Sequence, residues 1–449
     1  MKKEFREAIT SDAVPAALVI GAGIAGMQAA LDIADKGFKV HLVERAPFIG
    51  GHMAQLDKTF PTLDCSACII TPKMVEVANH PNIQLHTCSE VTEAQGSAGN
   101  FKVKIKKKPR YVDLNRCTAC GDCVEACVLK KGVPSEFDEG LATRKAIYIP
   151  FPQAVPLKAV VDPKSCFLLS KGTCKKACVD VCEPGAIDFE QKEEIVETEA
   201  GSIIVATGFD LFDPMLKPEF GYRSYPNVLH GLELERLCSA SGPTQGNILI
   251  EGKEPKDIVF IHCVGSRDKT VGNEYCSRVC CMSSAKQAHL LREKLPEACI
   301  TVFYMDMRAF GKGFEEFYER VQRERISYRR ANPSELYRRN GKVVVRGEDT
   351  LLGEPFEIEA DLVVLAAGLT ARKEDDSLRS ILGLKKSPDR FYAEAPGLDP
   401  VTTDVDGIFL AGCCQGPKDI PDTVAQASGA ASLACALLAK GRKINGVME

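Results

Sequence analysis

The sequence predicts an α/β protein with an inserted domain held by metal, and three observations carry that prediction. Residues 16–20 (AALVI) are a short apolar run that feeds a glycine-rich turn and an alanine-rich helical stretch. Residues 257–262 and 299–305 are two further apolar runs flanking a helical stretch near 283–294. Between these units, residues 113–190 lose helical and strand periodicity and hold eight cysteines. Strand–helix–strand texture on either side of a cysteine-rich span is the pattern of parallel sheets interrupted by a small metal domain.

Composition narrows the class. A chain of 449 residues has room for about two to four domains, and 45% hydrophobic with 26% charged residues is an ordinary globular balance. The formal net charge of −4 leaves no basic field for nucleic acid. No apolar run reaches the roughly 18 residues of a membrane span, so no transmembrane segment is expected. Residues 1–12 are polar and charged and lack a signal-peptide core, which points to the cytoplasm. There are 20 cysteines against 7 histidines, clustered at short spacings, so iron–sulfur sites are favoured over disulfides or zinc.

The first unit carries Gly21, Gly23 and Gly26 in a G-x-G-x-x-G turn that includes Ile24 and Ala25. The first glycine allows the tight turn, the second lets backbone approach a pyrophosphate, and the third lets helix and strand pack closely. The phosphates would sit on the free N–H groups of the helix that follows. Residues 39–43 read as the second strand and end at Glu44, 23 residues after Gly21, where an acid can hold a ribose hydroxyl. Arg45 and the Gly50-Gly51-His52 segment extend this candidate site. Residues 73–112 read as mixed short strands, with residues 101–106 alternating apolar and basic. Residues 202–208, 341–367 and 422–438 read as a strand and turn, further strands and a closing helix.

Cys117, Cys120, Cys123 and Cys127 have the spacing of the bacterial ferredoxin run, with Val128 where that run has proline. Cys166, Cys174, Cys178 and Cys182 follow, with a longer first gap and a Pro-Gly-Ala-Ile tail. Two such halves resemble a two-cluster ferredoxin. By that resemblance ligation crosses: Cys117, Cys120, Cys123 and Cys182 hold one 4Fe–4S cluster, and Cys166, Cys174, Cys178 and Cys127 the other. Cys263, Cys276, Cys280 and Cys281 form a third group at gaps of 13, 4 and 1, read as ligands of a third cluster. Cys65 and Cys68 leave three readings open: a redox dithiol, half of a fourth cluster site, or structural thiols. Cys88, Cys238, Cys299 and Cys435 read as small packing residues.

Ala206-Thr207-Gly208, the Val364–Gly368 segment and residues 403–412 resemble the crossover and final strand segments of the two-dinucleotide-domain flavoproteins, which include thioredoxin reductase. The resemblance implies FAD and a thioredoxin reductase-like fold with a ferredoxin-like insert. The FAD-binding domain is expected to be discontinuous, over 1–112, 191–250 and 341–449. The insert takes 113–190, and a second Rossmann-like domain 251–340. In that family the last strand ends Gly-Asp; here Gly412 is followed by Cys413, so the flavin contact must differ. Ile420, Pro421 and Thr423 complete the implied flavin set. Lys418, Asp419 and Asp422 either tune the flavin or start the closing helix. In the second domain, residues 261–267 (IHCVGSR) keep one glycine where a nicotinamide fingerprint has three, so no NAD(P)H site is expected.

Gly50-Gly51-His52-Met53, residues 61–68 (PTLDCSAC), the ferredoxin motifs, residues 262–268 (HCVGSRD) and residues 412–424 (GCCQGPKDIPDTV) together resemble the A subunit of heterodisulfide reductase and its relatives. That resemblance covers nearly the whole chain. It implies an oxidoreductase component whose redox centre is a non-covalent FAD, with no catalytic side chain assigned. The flavin would exchange electrons, by bifurcation or confurcation, among three or four 4Fe–4S clusters, other subunits of the complex, and ferredoxin or another one-electron carrier. Longer members carry extra iron–sulfur domains at one or both ends, which this chain is expected to lack. The competing readings are a self-contained NAD(P)H-dependent reductase resembling the small subunit of glutamate synthase, and a non-enzymatic scaffold or redox sensor.

Overall fold

The computed structural model describes residues 13–397 and 399–441. Residues 1–12, which carry the argument against a signal peptide, and the outermost ends of the expected FAD-binding domain lie outside the described residues.

Ala16–Ile20 pairs in parallel with Lys39–Val43 on one side and Ser202–Val205 on the other. Ile83–His86 and Ile408–Leu410 complete a five-stranded parallel sheet. Every residue of Ala16–Ile20 is buried, as a central strand covered on both faces requires. On one face lie the helices Ile24–Ala34 and Ile420–Leu438. Their alanines (Ala29, Ala30 and Ala34 against Ala427, Ala430, Ala431 and Ala434) are short enough to let the two backbones approach. On the other face lies an antiparallel meander of Ser89–Ser97, Asn100–Lys107 and Glu194–Ala200. Its Phe101, Val103 and Ile105 enter the core beside Leu18 and Ile203, while Lys104 and Lys106 pair outside with Glu93 and Glu90. The alternating reading of 101–106 therefore holds. Residues 73–79, read as extended, are instead the end of a helix, Ser66–Asn79. Ile70, Met74 and Val77 fall on one helical face and are its buried residues together with Ser66.

The insert leaves this meander after Lys107 and returns at Glu194, residues that face each other in the sheet. It therefore stands where a hairpin turn would. Its neck is closed by a bridge between Val112 and Ile187 and by the Tyr111 N–H, which donates to Gln191 Oε1 at 2.6 Å. Its own core is a handful of apolar residues, Val112, Ala146, Ile147, Ala159, Val161 and Ala186, mixed with buried cysteines. Such a core is too small to stabilise a domain without cross-links or metal.

The second parallel sheet has the order Val228–His230, Leu362–Ala367, Asp257–Val264, Cys299–Tyr304, Ile326–Arg330. A second meander, Glu335–Arg339, Lys342–Asp349 and Glu354–Ala360, packs on it. Val228–His230, Leu362–Ala367 and most of that meander fall in segments assigned to the FAD-binding domain, so the bounds 251–340 are too narrow for the second unit. The reason is physical: a three-residue strand has no period to read, and an all-apolar run such as Leu362–Ala367 suits the centre of either sheet. A buried charged network ties the units together. Lys286 Nζ donates to Lys58 O at 2.8 Å and pairs with Glu235 at 2.5 Å, and Arg236 Nε reaches Asp138 of the insert at 3.1 Å.

Candidate functional site: a dinucleotide cradle and three cysteine groups

The glycine turn is built by close approach. A Cβ on Gly26 would stand 1.8 Å from the carbonyl oxygen of Gly21, and one on Gly21 would stand 2.4 Å from that of Ala206. In front of Gly23 no atom lies within 4 Å of where a Cβ would be, which leaves the approach that a pyrophosphate needs. The helix beginning at Ile24 has no side-chain cap, so its first N–H groups are free for an anion. Glu44 closes the turn, accepting from the N–H of Ala22 and of Ala46, both at 2.8 Å. Burial pushes its carboxyl upward, and the two amides partly offset that shift.

The other expected cofactor residues gather around this turn. Gly51 lies against Gly23, and Gly412 against Ala25 and Thr423. His52 Nδ1 bonds to Gln55 Oε1 at 2.7 Å, while Nε2 faces Phe209 O at 3.3 Å. Thr207 Oγ1 donates to Asp375 Oδ2 at 3.0 Å, and Arg372 Nη1 to Thr207 O at 2.9 Å. Ile420 packs into the first core and Pro421 stands in the first turn of the closing helix, which Asp419 caps by accepting from the Asp422 N–H at 2.8 Å. Lys418 Nζ donates to the carbonyls of Gly412 and Gly416 at 2.9 and 2.8 Å, and burial lowers its pKa. Cys413 turns its thiol to Lys418 O at 3.4 Å, and Arg45 turns outward to pair with Glu374. Asp375 escaped the sequence reading; it opens the short helix Asp375–Leu382, whose period runs over only about two turns. Burial raises its carboxyl to about 6.

In the insert two four-thiol sets converge. Cys117, Cys120, Cys123 and Cys182 line one cavity, and Cys127, Cys166, Cys174 and Cys178 the other. Burial together with the neighbouring thiols pushes Cys123 up to about 12 and Cys178 to about 11. Among the described residues no three His, Cys, Asp or Glu side chains converge tightly enough for one metal ion. A four-iron cage spreads its thiolates around itself, so these wider sets fit a cluster better than a zinc ion, and bound iron would reverse the upward shift by holding the thiolate form.

The third group sits where the second sheet meets its helix. Burial, then the thiols of Cys281 and Cys276, push Cys263 up to about 12. Cys280 is shifted upward by burial and by Cys263, Cys281 and Cys276. Beside them the one remaining glycine of the expected nicotinamide turn, Gly265, is packed against a ring: a Cβ there would meet Phe212 at 2.1 Å. The Phe212 ring thus takes the space beside this glycine. Cys65 and Cys68 are exposed at the start of helix Ser66–Asn79, and a hydrogen bond with Cys65 raises the Cys68 thiol. Cys238 is buried, as expected of a packing residue, whereas Cys299 is exposed.

Residues 19–79 match the family described as an NAD(P)-binding Rossmann-like domain. Over 95% of its length the chain is 54% identical to the A subunit of the H2:CoB-CoM heterodisulfide,ferredoxin reductase of Methanothermobacter marburgensis, covering 64% of that protein. It is also 54% identical, over 98% of its length, to an iron–sulfur A subunit of the CoB–CoM heterodisulfide reductase of Methanopyrus kandleri, covering 66% of it. The chain is a homologue of the heterodisulfide reductase A subunit. It spans about two thirds of the length of these relatives. The fold of this heterodisulfide reductase homologue is that of thioredoxin reductase: the T. acidophilum enzyme superposes with a TM-score of 0.53 at 16% identity, over 95% of this chain and 99% of that one. The thioredoxin reductase of Lactococcus lactis gives 0.52 at the same identity, over 94% and 99%. Among the described residues no helix is long and apolar enough to cross a membrane.

Proposed function

We propose that this chain is the FAD- and iron–sulfur-containing electron-transfer subunit of a heterodisulfide reductase-type oxidoreductase. In this reading it relays electrons between flavin, 4Fe–4S clusters, partner subunits and ferredoxin in the cytoplasm. The observation that carries it is the pairing of an open glycine cradle with three separate four-cysteine groups on one scaffold. FAD supplies, when bound, a centre that takes two electrons and releases them singly. The chain's own residues do the rest. Gly23 and the N-terminus of helix Ile24–Ala34 receive the pyrophosphate, and Glu44 orients the ribose. His52, Thr207, Gly412 and Thr423 border the remainder, and Lys418 holds the 412–416 loop in shape. The cysteine sets would supply separate one-electron carriers on the same chain, so electrons delivered as a pair have more than one exit. Bifurcation then requires the two exits to differ in potential, which burial and hydrogen bonds to the thiolates set.

The relatives' names support the reading: that of Methanosarcina acetivorans, 45% identical over 94% of this chain, is called the A subunit of a ferredoxin/F420H2-dependent CoB-CoM heterodisulfide reductase. The glutamate synthase-like alternative requires a nicotinamide site, and Phe212 against Gly265 disfavours it. Anaerobic purification with quantification of flavin, iron and acid-labile sulfide tests the proposal. One FAD with about twelve iron and about twelve sulfide is expected for three cubanes. About sixteen would add Cys65 and Cys68 as ligands of a fourth. About eight would leave the Cys263 group structural and remove one exit, and absence of flavin would overturn the reading.

A further inference from the structure

We propose that the basic end of the insert, around Cys127, Cys166, Cys174 and Cys178, is the docking surface for an acidic one-electron carrier protein. The inference rests on reading that thiol set as a cluster site. Lys130, Lys131, Lys164, Lys171, Lys175 and Lys176 are all exposed there, each within four residues of one of the four cysteines. No Asp or Glu occurs in residues 127–133 or 163–179. Among the described residues none of the six lysines has a carboxylate partner. Lys176 lines the cavity itself, alongside Leu129 and Phe167. The set made by Cys117, Cys120, Cys123 and Cys182 is flanked by Asp113, Asp122 and Glu183, with Arg116 beside Cys117.

Lysines thus outnumber carboxylates at the basic end, where Glu125, Asp162 and Asp180 stand at the edges and Asp162 is paired with Arg144, in a chain whose net charge is −4. A net positive patch of unpaired lysines adds nothing to the fold; its physical effect is to steer an oppositely charged partner into contact. What a carrier would reach there is suited to electron transfer. Cys174 is only half-buried, and Val128, 40% exposed, offers an apolar contact beside Lys130. The exchange is simple in balance: one electron leaves the carrier, which is oxidised, and enters the cluster, which is reduced, with no bond made and no proton moved. The reverse transfer uses the same contact.

The test compares the full chain with a triple variant, Lys164→Gln, Lys171→Gln and Lys175→Gln, after iron and sulfide have been determined in each. The probe is a photoreduced two-cluster bacterial ferredoxin of strongly negative net charge, mixed in stopped flow across a salt series. Native chain should react fastest at low salt and slow by roughly tenfold or more as salt rises. The variant should lose about tenfold of the low-salt rate and most of the salt slope, while reduction by an uncharged photoreduced deazaflavin stays unchanged. An iron-replete variant with the native rate and slope overturns the docking surface. A native rate that rises with salt overturns it as well. A native chain without iron at the insert would instead remove the cluster reading beneath the proposal, and the iron assay separates the two failures.

Discussion

The chain contains two parallel sheets, each with an antiparallel meander, and they treat the turn after their central strand in opposite ways. In the first unit the turn following Ala16–Ile20 is kept clear, with nothing within 4 Å of the place a Gly23 side chain would take. In the second, the turn following Asp257–Val264 is filled by the Phe212 ring against Gly265, with Cys263, Cys276, Cys280 and Cys281 gathered beside it. Identical backbone architecture therefore says little about the ligand. One ring and four thiols stand in the second unit at the turn that the first unit keeps open.

The largest test of that contrast is Gly26→Ala against Gly265→Ala. The first puts a methyl 1.8 Å from a backbone oxygen, which cannot move without separating helix from strand. Flavin content should fall at least tenfold, with a loss of several kcal/mol in stability. The second meets Phe212, a side chain that can shift, at a positive φ of 69°. It should destabilise by about 1–3 kcal/mol yet retain flavin. Flavin absorbance and thermal unfolding read both. Equal flavin loss in the two variants would break the distinction between an open and a filled turn.

How far these features could be read in advance differs between the units for physical reasons. The glycine turn, Glu44 and the ferredoxin spacings were legible because each is local: the chemistry needs those residue types at that separation. The crossed thiol sets followed from resemblance, and the cavities group the cysteines in the same way. The bounds of the second unit were not legible, because Val228–His230 is too short to carry a period. The buried network was hidden too. Lys286 and Glu235 look like surface residues in sequence, yet each is about 1% exposed, because helix Cys280–Lys294 is buried over most of its length.

That network supplies the next test, of whether the two units act as one body. Lys286→Met removes the cation from a buried carboxylate that also receives the Gln287 amide at 2.6 Å and the Asp57 N–H at 3.1 Å. Leaving Glu235 uncompensated should cost about 3–5 kcal/mol, while Lys286→Met with Glu235→Leu should recover much of it. If the network couples the units, the single variant splits one unfolding transition into two in calorimetry. A single, merely earlier transition would mean that the units are joined by other contacts.

The smallest effect is a pH dependence shared by both units. Burial lowers His86 at the edge of the first sheet and His230 at the edge of the second, each to about 4. Around His230 stand Arg223 and His52, which lower it further, and Asp213, which raises it; Glu139 and Glu233 face it at 3.7 and 3.8 Å. A histidine near 6.5 when unfolded and near 4 when folded is held neutral by the fold. The unfolded chain then binds more protons between those two values, so the contribution is complete above about 6.5 and is lost as pH falls toward 4. For His230 this amounts to at most about 3 kcal/mol. Asp375 works the other way: raised to about 6, its contribution is present in acid and is lost as pH rises from 3.8 through 6. The two slopes partly cancel in the native chain. His230→Asn should therefore leave a shallower acid destabilisation between pH 6.5 and 4 in urea titrations, and His86→Asn should do the same if the units unfold together. A slope changed by His230→Asn alone would show that the second unit sets the acid limit by itself, and that the two sheets, alike in topology, are unequal in stability.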